Sequence, residues 1–135
     1  MVAEGLEPIE EFPGILAFIP ADSDFTMDET VARLRKSFPN GEVTQPQTGD
    51  IRILSDNWVL LLVLMDDVIE ESREMGEWMA EHPRSGEIAK CNKRIEFVGS
   101  DLEGECFQGF LIACEVLNSF HGVFVFDLEN KKEVG

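Results

Sequence analysis

Residues 58–65 read WVLLLVLM, eight apolar side chains without a break. A helix that crosses a membrane needs about 20 such residues, so this run is too short to span one. An element with one face in water would interleave polar positions. The run therefore predicts a strand in the middle of a sheet, covered on both faces.

The flanking sequence agrees. Ser55-Asp56-Asn57 carries turn chemistry. Residues 50–54 (DIRIL) alternate in part, as a half-buried strand does. Residues 15–19 (ILAFI), between Gly14 and Pro20, suit a second buried strand. Residues 94–98 and 123–126 are expected to be the remaining strands, and residues 127–132 a turn.

Three helices are predicted. Thr26-Met27-Asp28-Glu29 matches a capping box, with Thr26 as N-cap and Glu29 reaching back. Met27, Val31, Leu34 and Phe38 recur at helical spacing, Arg35 and Lys36 suit the last turns, and Pro39-Asn40-Gly41 is the stop. A second helix begins near Asp66 or Asp67, runs to about residue 81 with Val68, Met75 and Met79 on one stripe, and ends at His82-Pro83. The third follows a second capping box, Ser100-Asp101-Leu102-Glu103. It places Phe107, Phe110, Leu111, Cys114 and Leu117 on one face, with Gly122 at its C′ position.

The element order is βαββαβαβ. Its first six members have the ferredoxin-like order, so the expected fold is α+β: a ferredoxin-like βαββαβ sandwich with an additional C-terminal helix and strand. Another α+β sandwich with the same element order is the alternative. Residues 1–13 are acidic, hold two prolines and lack periodicity. They read as an acidic N-terminal tail, with residues 14–135 as a single α+β domain. A chain of 135 residues is long enough to bury about two-thirds of its unfolded surface.

The charge balance excludes some functions and suggests one. There are 27 acidic and 11 basic residues, a formal net charge of −16. Nucleic-acid backbones and anionic membranes require Lys and Arg, and residues 1–32 contain neither. Neither nucleic acid nor membrane is therefore an expected partner. No basic, apolar leader opens the sequence, which points to a cytoplasmic protein. The acids cluster: residues 66–87 carry eight against Arg73 and Arg84. Charge runs are usually solvated helix faces. The sharper reading is an acidic face that steers and captures a basic protein. On the helix near residues 67–81 the candidate contacts are Glu70, Glu71, Glu74, Glu77 and Glu81. Trp78 is a possible anchor, because one of Trp78 and Met79 must lie toward the edge of the apolar stripe. This reading suits an inhibitor, an immunity-type protein or a nucleic-acid mimic. An exposed edge strand would also invite a homodimer.

Catalytic chemistry is sparse. In a ferredoxin-like sheet, the end of the first strand and the turn between the second and third share an edge. That would bring Asp22 and Asp24 near Asp56, and paired carboxylates can hold the metal ions of nucleotide-joining enzymes. The set is incomplete, with no glycine-rich phosphate loop and no Lys or Arg on the first loop. Asp22-Ser23-Asp24 starts like a calcium loop, but that pattern fails at Thr26 and Met27. Cys91, Cys106 and Cys114 show no C-x-x-C spacing and read as buried free thiols. His82 and His121 read as structural, and there is no tyrosine. No cofactor is expected. A non-enzymatic binding domain is the main reading, a small-molecule-sensing module the alternative, and a metal-dependent enzyme on Asp22, Asp24 and Asp56 the third.

Overall fold

In the computed structural model, which describes residues 10–45, 50–55, 57–100 and 105–134, seven strands make one sheet. They are β1 (Glu10–Ile19), β2 (Glu42–Thr44), β3 (Ile51–Leu54), β4 (Val59–Asp66), β5 (Lys93–Gly99), β6 (Phe124–Asp127) and β7 (Lys132–Val134). Four helices accompany them: α1 (Met27–Ser37), α2 (Ile69–Trp78), α3 (Ser85–Ala89) and α4 (Glu105–Asn118). The fold is α+β. The strand order is β2-β3-β4-β5-β1-β6-β7, and every neighbouring pair is antiparallel.

That order differs from a simple ferredoxin-like βαββαβ sandwich, in which β1 would lie between β4 and β5. Here β5 separates β4 from β1. The cause is the return path after β4. Asp66, the last residue of β4, pairs with Lys93, the first of β5. Residues 67–92 therefore leave and re-enter the sheet at one end, as an enlarged hairpin. A parallel crossover would instead carry the chain to the far end. The reversal begins at Asp67, whose φ of 56° is left-handed. Asp tolerates that conformation better than most residues.

Local sequence accounts for much of the rest. The Thr26 Oγ1 accepts the Glu29 N–H at 3.1 Å, so the first half of the capping box forms. The Glu29 carboxylate turns instead to Arg33, 3.1 Å away. The second capping box falls largely on residues 101–104, outside the described residues. Ser100 itself is buried, and its Oγ accepts the Val59 N–H at 2.9 Å. β1 begins at Glu10, inside the segment read as a tail, because Glu10 and Glu11 pair with Gly99 and Val98. α2 stops at Trp78, short of residue 81. The residue before a proline avoids the helical region, and His82 precedes Pro83, so residues 79–84 form successive turns. α4 ends at Asn118, and Gly122 (φ 73°) serves the turn into β6.

Two apolar clusters sit on opposite faces of the sheet. One joins α1 and α4 to the sheet through Val31, Leu34, Phe110, Cys114 and Leu117 against Ala17, Ile51, Leu60, Leu62, Ile95 and Phe97. The other joins α2, α3 and their flanks to β1 and β6 through Met79, Ile88 and Cys91 against Leu16, Phe18, Phe124 and Phe126. Each such aliphatic or aromatic side chain contributes about 1.5–3 kcal/mol by its removal from water. The apolar run at β4 is thus covered by α1 and α4 on one face, where Leu60 and Leu62 are buried and Leu64 is half-buried. On the other, Leu61, Val63 and Met65 remain half-buried, since the α2–α3 cluster lies over β1 and β6. The C-terminal strands pair within the chain, β6 on β1 and β7 on β6. The two edge strands, β2 and β7, are three residues each, which limits edge-to-edge association.

α4 approaches the sheet at a glycine. A Cβ on Gly109 would stand 2.5 Å from the Trp58 ring. Helix propensity alone favours Ala over Gly by about 1 kcal/mol. Overpacking a filled core costs about 1–3 kcal/mol. Gly109→Ala is therefore expected to lower the thermal midpoint by several degrees. A raised midpoint in a thermal melt would contradict this packing.

Candidate partner-binding face

α2 turns its polar side outward. Its inner side is Ser72, Met75, Gly76 and the following Met79. The Ser72 Oγ donates to the Cys91 carbonyl at 2.5 Å. A Cβ on Gly76 would stand 2.8 Å from the Cβ of Ala89 and from the Ser85 carbonyl oxygen, so α2 and α3 meet almost backbone to backbone. The N–H of Ile69 is satisfied by the Asn92 Oδ1 at 3.1 Å. Glu70 and Glu71 in the first turn suit the positive end of the helix.

With that side fixed inward, Glu70, Glu71, Glu74, Glu77, Trp78 and Glu81 are all exposed. Of the Trp78–Met79 pair, Met79 is the core residue at 1% exposure and Trp78 the surface one at 57%. Glu81 lies in the turns after α2 rather than on the helix.

Glu71 differs from the other acids. Its carboxylate meets Nη2 of Arg94 at 2.8 Å. Arg94 is a buried cation on β5, and its Nε and Nη2 also donate to Glu96 at 3.2 and 2.9 Å. Its Nη1 is buried without an acceptor among the described residues. A buried guanidinium is costly unless paired, so Glu71 and Glu96 hold this charge in place and tie α2 to the sheet. Among the described residues no cation pairs with Glu70, Glu74, Glu77 or Glu81. These four leave an unneutralised acidic strip.

Beside Trp78 lies a groove of about 460 Å³, formed by residues 78–83 and Lys131. The Lys131 Nζ sits 4.6 Å from the centre of the Trp78 ring. Lys131 is brought there by the β6–β7 turn, in which Asp127 accepts the Asn130 N–H at 3.1 Å. His82 lines the groove; its Nδ1 accepts the Arg84 N–H at 3.0 Å and its ring packs edge-on to Phe126. Arg84 clamps this turn to the C-terminal hairpin. It bonds Glu133 at 2.7 Å, pairs with Glu87, and lies 4.6 Å over the Phe124 ring. The Glu133 hydrogen bond is the largest influence raising the Arg84 pKa. Sequence periodicity carries no sign of Lys131, because it reaches the groove from 53 residues further along the chain than Trp78.

The other sequence candidates take separate places. The Asp24 Oδ1 accepts the His121 N–H at 2.7 Å, which makes Asp24 a loop staple. Asp22 is exposed in the turn after β1. Asp56 lies outside the described residues. Its flanking strands pair at Leu54–Val59, beside Leu60–Gly99, whereas β1 ends at Ile19 beside Lys93, at the other end of the sheet. Among the described residues no group of three or more His, Cys, Asp or Glu side chains is placed to hold a metal ion. None of the described helices is long and apolar enough to cross a membrane. Phe107, expected on one helix face with Phe110, Leu111, Cys114 and Leu117, is 40% exposed. The buried face of α4 centres on Cys106, Ala113 and Leu117, and Phe107 falls at its edge.

All three thiols are buried. Burial, with a smaller push from Glu87, raises the Cys91 pKa to about 11. Burial, then Glu115, raises Cys114 to about 12. Thiolates are the reactive form, so these two groups are inert at neutral pH.

Comparison with known proteins finds no matching family, no significantly similar curated protein and no significantly similar solved structure.

Two outcomes are expected from this geometry. Glu71→Gln should destabilise the protein by about 1 kcal/mol, since it weakens a charge-assisted bond to a buried cation. Glu74→Gln should change stability by less than about 0.5 kcal/mol. Equal denaturation midpoints for the two variants would contradict the tie to Arg94. The thiols set a second test. The folded pKa values of Cys91 and Cys114 stand above the unfolded value of about 8.5, so the folded state holds these protons more tightly. Stability should be unaffected from about pH 6 to 8 and fall as pH rises past about 9. With no tyrosine in the chain, Cys91→Ala/Cys114→Ala should flatten that alkaline decline. An identical decline in the double variant would refute the assignment.

Proposed function

We propose that this chain is a non-enzymatic binding domain that engages a basic protein through the outward side of α2. One observation carries the reading: Glu70, Glu74, Glu77 and Glu81 are exposed beside a 57%-exposed Trp78, with no cation paired to any of the four among the described residues. Exposed Trp is uncommon on a surface that meets water alone, and Trp is enriched among residues that dominate binding energy. Unneutralised carboxylates around it raise encounter rates with a cationic surface and reject anionic ones.

The mechanism is occlusion. The carboxylates of α2 take the positions that an anionic ligand would occupy on the basic protein, and Trp78 supplies the desolvated contact. An inhibitor, an immunity-type protein or a nucleic-acid mimic would all act this way. Glu71 contributes by holding α2 against the sheet, and the four unpaired acids by their charge. Such a domain needs no cofactor and no catalytic group.

Capture from native lysate, washed in parallel at low and high salt, tests the proposal. The wild-type chain should retain a basic protein in stoichiometric amount at low salt and release it at high salt. Glu74→Gln/Glu77→Gln/Glu81→Gln should retain it about tenfold less well, on the scale of a few charge contacts at low salt. Equal retention by the triple variant would remove α2 from the binding surface.

A further inference from the structure

The Trp78 groove already holds a cation. Lys131 lies over the indole face at 4.6 Å, within the distance at which an ammonium is attracted by the ring quadrupole. No carboxylate pairs with Lys131 among the described residues, so the indole is its one charge-directed contact there. Its backbone is left-handed, φ 54°, which a lysine rarely adopts. Lys131 and Trp78 belong to separate elements, the β6–β7 turn and the end of α2. Both are exposed, and both line the groove of about 460 Å³. Glu81 lines the same groove and Glu77 precedes the indole. The groove thus combines an aromatic face with one lining carboxylate, that of Glu81, a chemistry that suits a lysine or arginine side chain.

We propose that Lys131 occupies, in the free protein, the place that a lysine or arginine of the basic partner takes on the face of Trp78. Binding displaces Lys131, and the groove is self-occluded until it does. The occupant is a basic polypeptide segment, because the complementary charge around the groove comes from an acidic strip on a chain of net charge −16. This rests on the reading of α2 as the binding face and adds to it a named acceptor and an internal competitor.

The probe is a ten-residue peptide of alternating lysine and glycine, titrated at low salt into the full chain, with its fully lysine-acetylated form as control. The two tryptophans give two indole N–H resonances, one from buried Trp58 and one from exposed Trp78. The lysine peptide should shift the Trp78 signal and leave Trp58 in place, while the acetylated peptide shifts neither. Lys131→Asn keeps a residue suited to the left-handed turn and removes the competing ammonium. It should bind the lysine peptide about 2–5-fold more tightly, the range of an exposed cation–π contact. Lys132→Gln makes the same charge change one residue away and should alter affinity by less than about twofold. On a Trp78→Leu background, Lys131→Asn should have no more effect than Lys132→Gln. Equal effects of Lys131→Asn and Lys132→Gln in the wild-type background would overturn the proposal. So would peptide binding with the Trp78 resonance unmoved, a result that leaves the acidic face itself standing. Failure of the wild-type chain to bind the lysine peptide at all would overturn both.

Discussion

The antiparallel pairing of β4 with β5 governs the architecture. Asp66 opposite Lys93 means that residues 67–92 depart from and return to one end of the sheet. A helical excursion tied at both feet cannot reach across to serve as a crossover. It folds back on itself, α2 against α3, with Gly76 allowing the two backbones to touch. It then lies over the strands that offer large apolar side chains, Phe18 of β1 and Phe124 and Phe126 of β6. Its polar side is left facing outward by default. The acidic strip is thus a consequence of where one strand pair closes.

Arg94 makes that placement specific. A cation buried in a sheet face must be matched, and the two carboxylates that match it come from different layers, Glu96 from the sheet and Glu71 from α2. Moving Glu71 away would leave the guanidinium with Glu96 alone. The hydrophobic contacts of Met79 and Ile88 supply most of the attraction between the layers, since apolar burial is the dominant driving force and is not directional. The charge pairing selects one orientation among those that would bury similar area. That orientation presents Glu70, Glu74, Glu77 and Trp78 together.

Much of this was legible from local pattern. The eight apolar residues at 58–65 marked an inner strand, Thr26 marked the start of α1, and Met79 next to Trp78 required one of the two to leave the core. The order of the strands was not legible. Periodicity locates an element without saying which neighbour it pairs with, and βαββαβ reads the same for a crossover and for an enlarged hairpin. The short elements β2, β7 and α3 were also missed, because three to five residues carry too few apolar positions to show a period. Glu71 looked like its neighbours Glu70 and Glu74, and its partner Arg94 is 23 residues away along the chain. The Trp78–Lys131 contact lay further still beyond any local pattern, since it depends on the β6–β7 turn.

The central claim is that the outward side of α2, with the turn bearing Lys131, is the surface that meets a basic polypeptide. Hydrogen exchange of the full chain, with and without the captured basic protein, tests it most directly. The expected result is slowed amide exchange concentrated in residues 69–83 and 128–131, with α1 and α4 on the opposite sheet face unchanged. Protection confined to α1 and α4, with residues 69–83 exchanging as in the free chain, would contradict it.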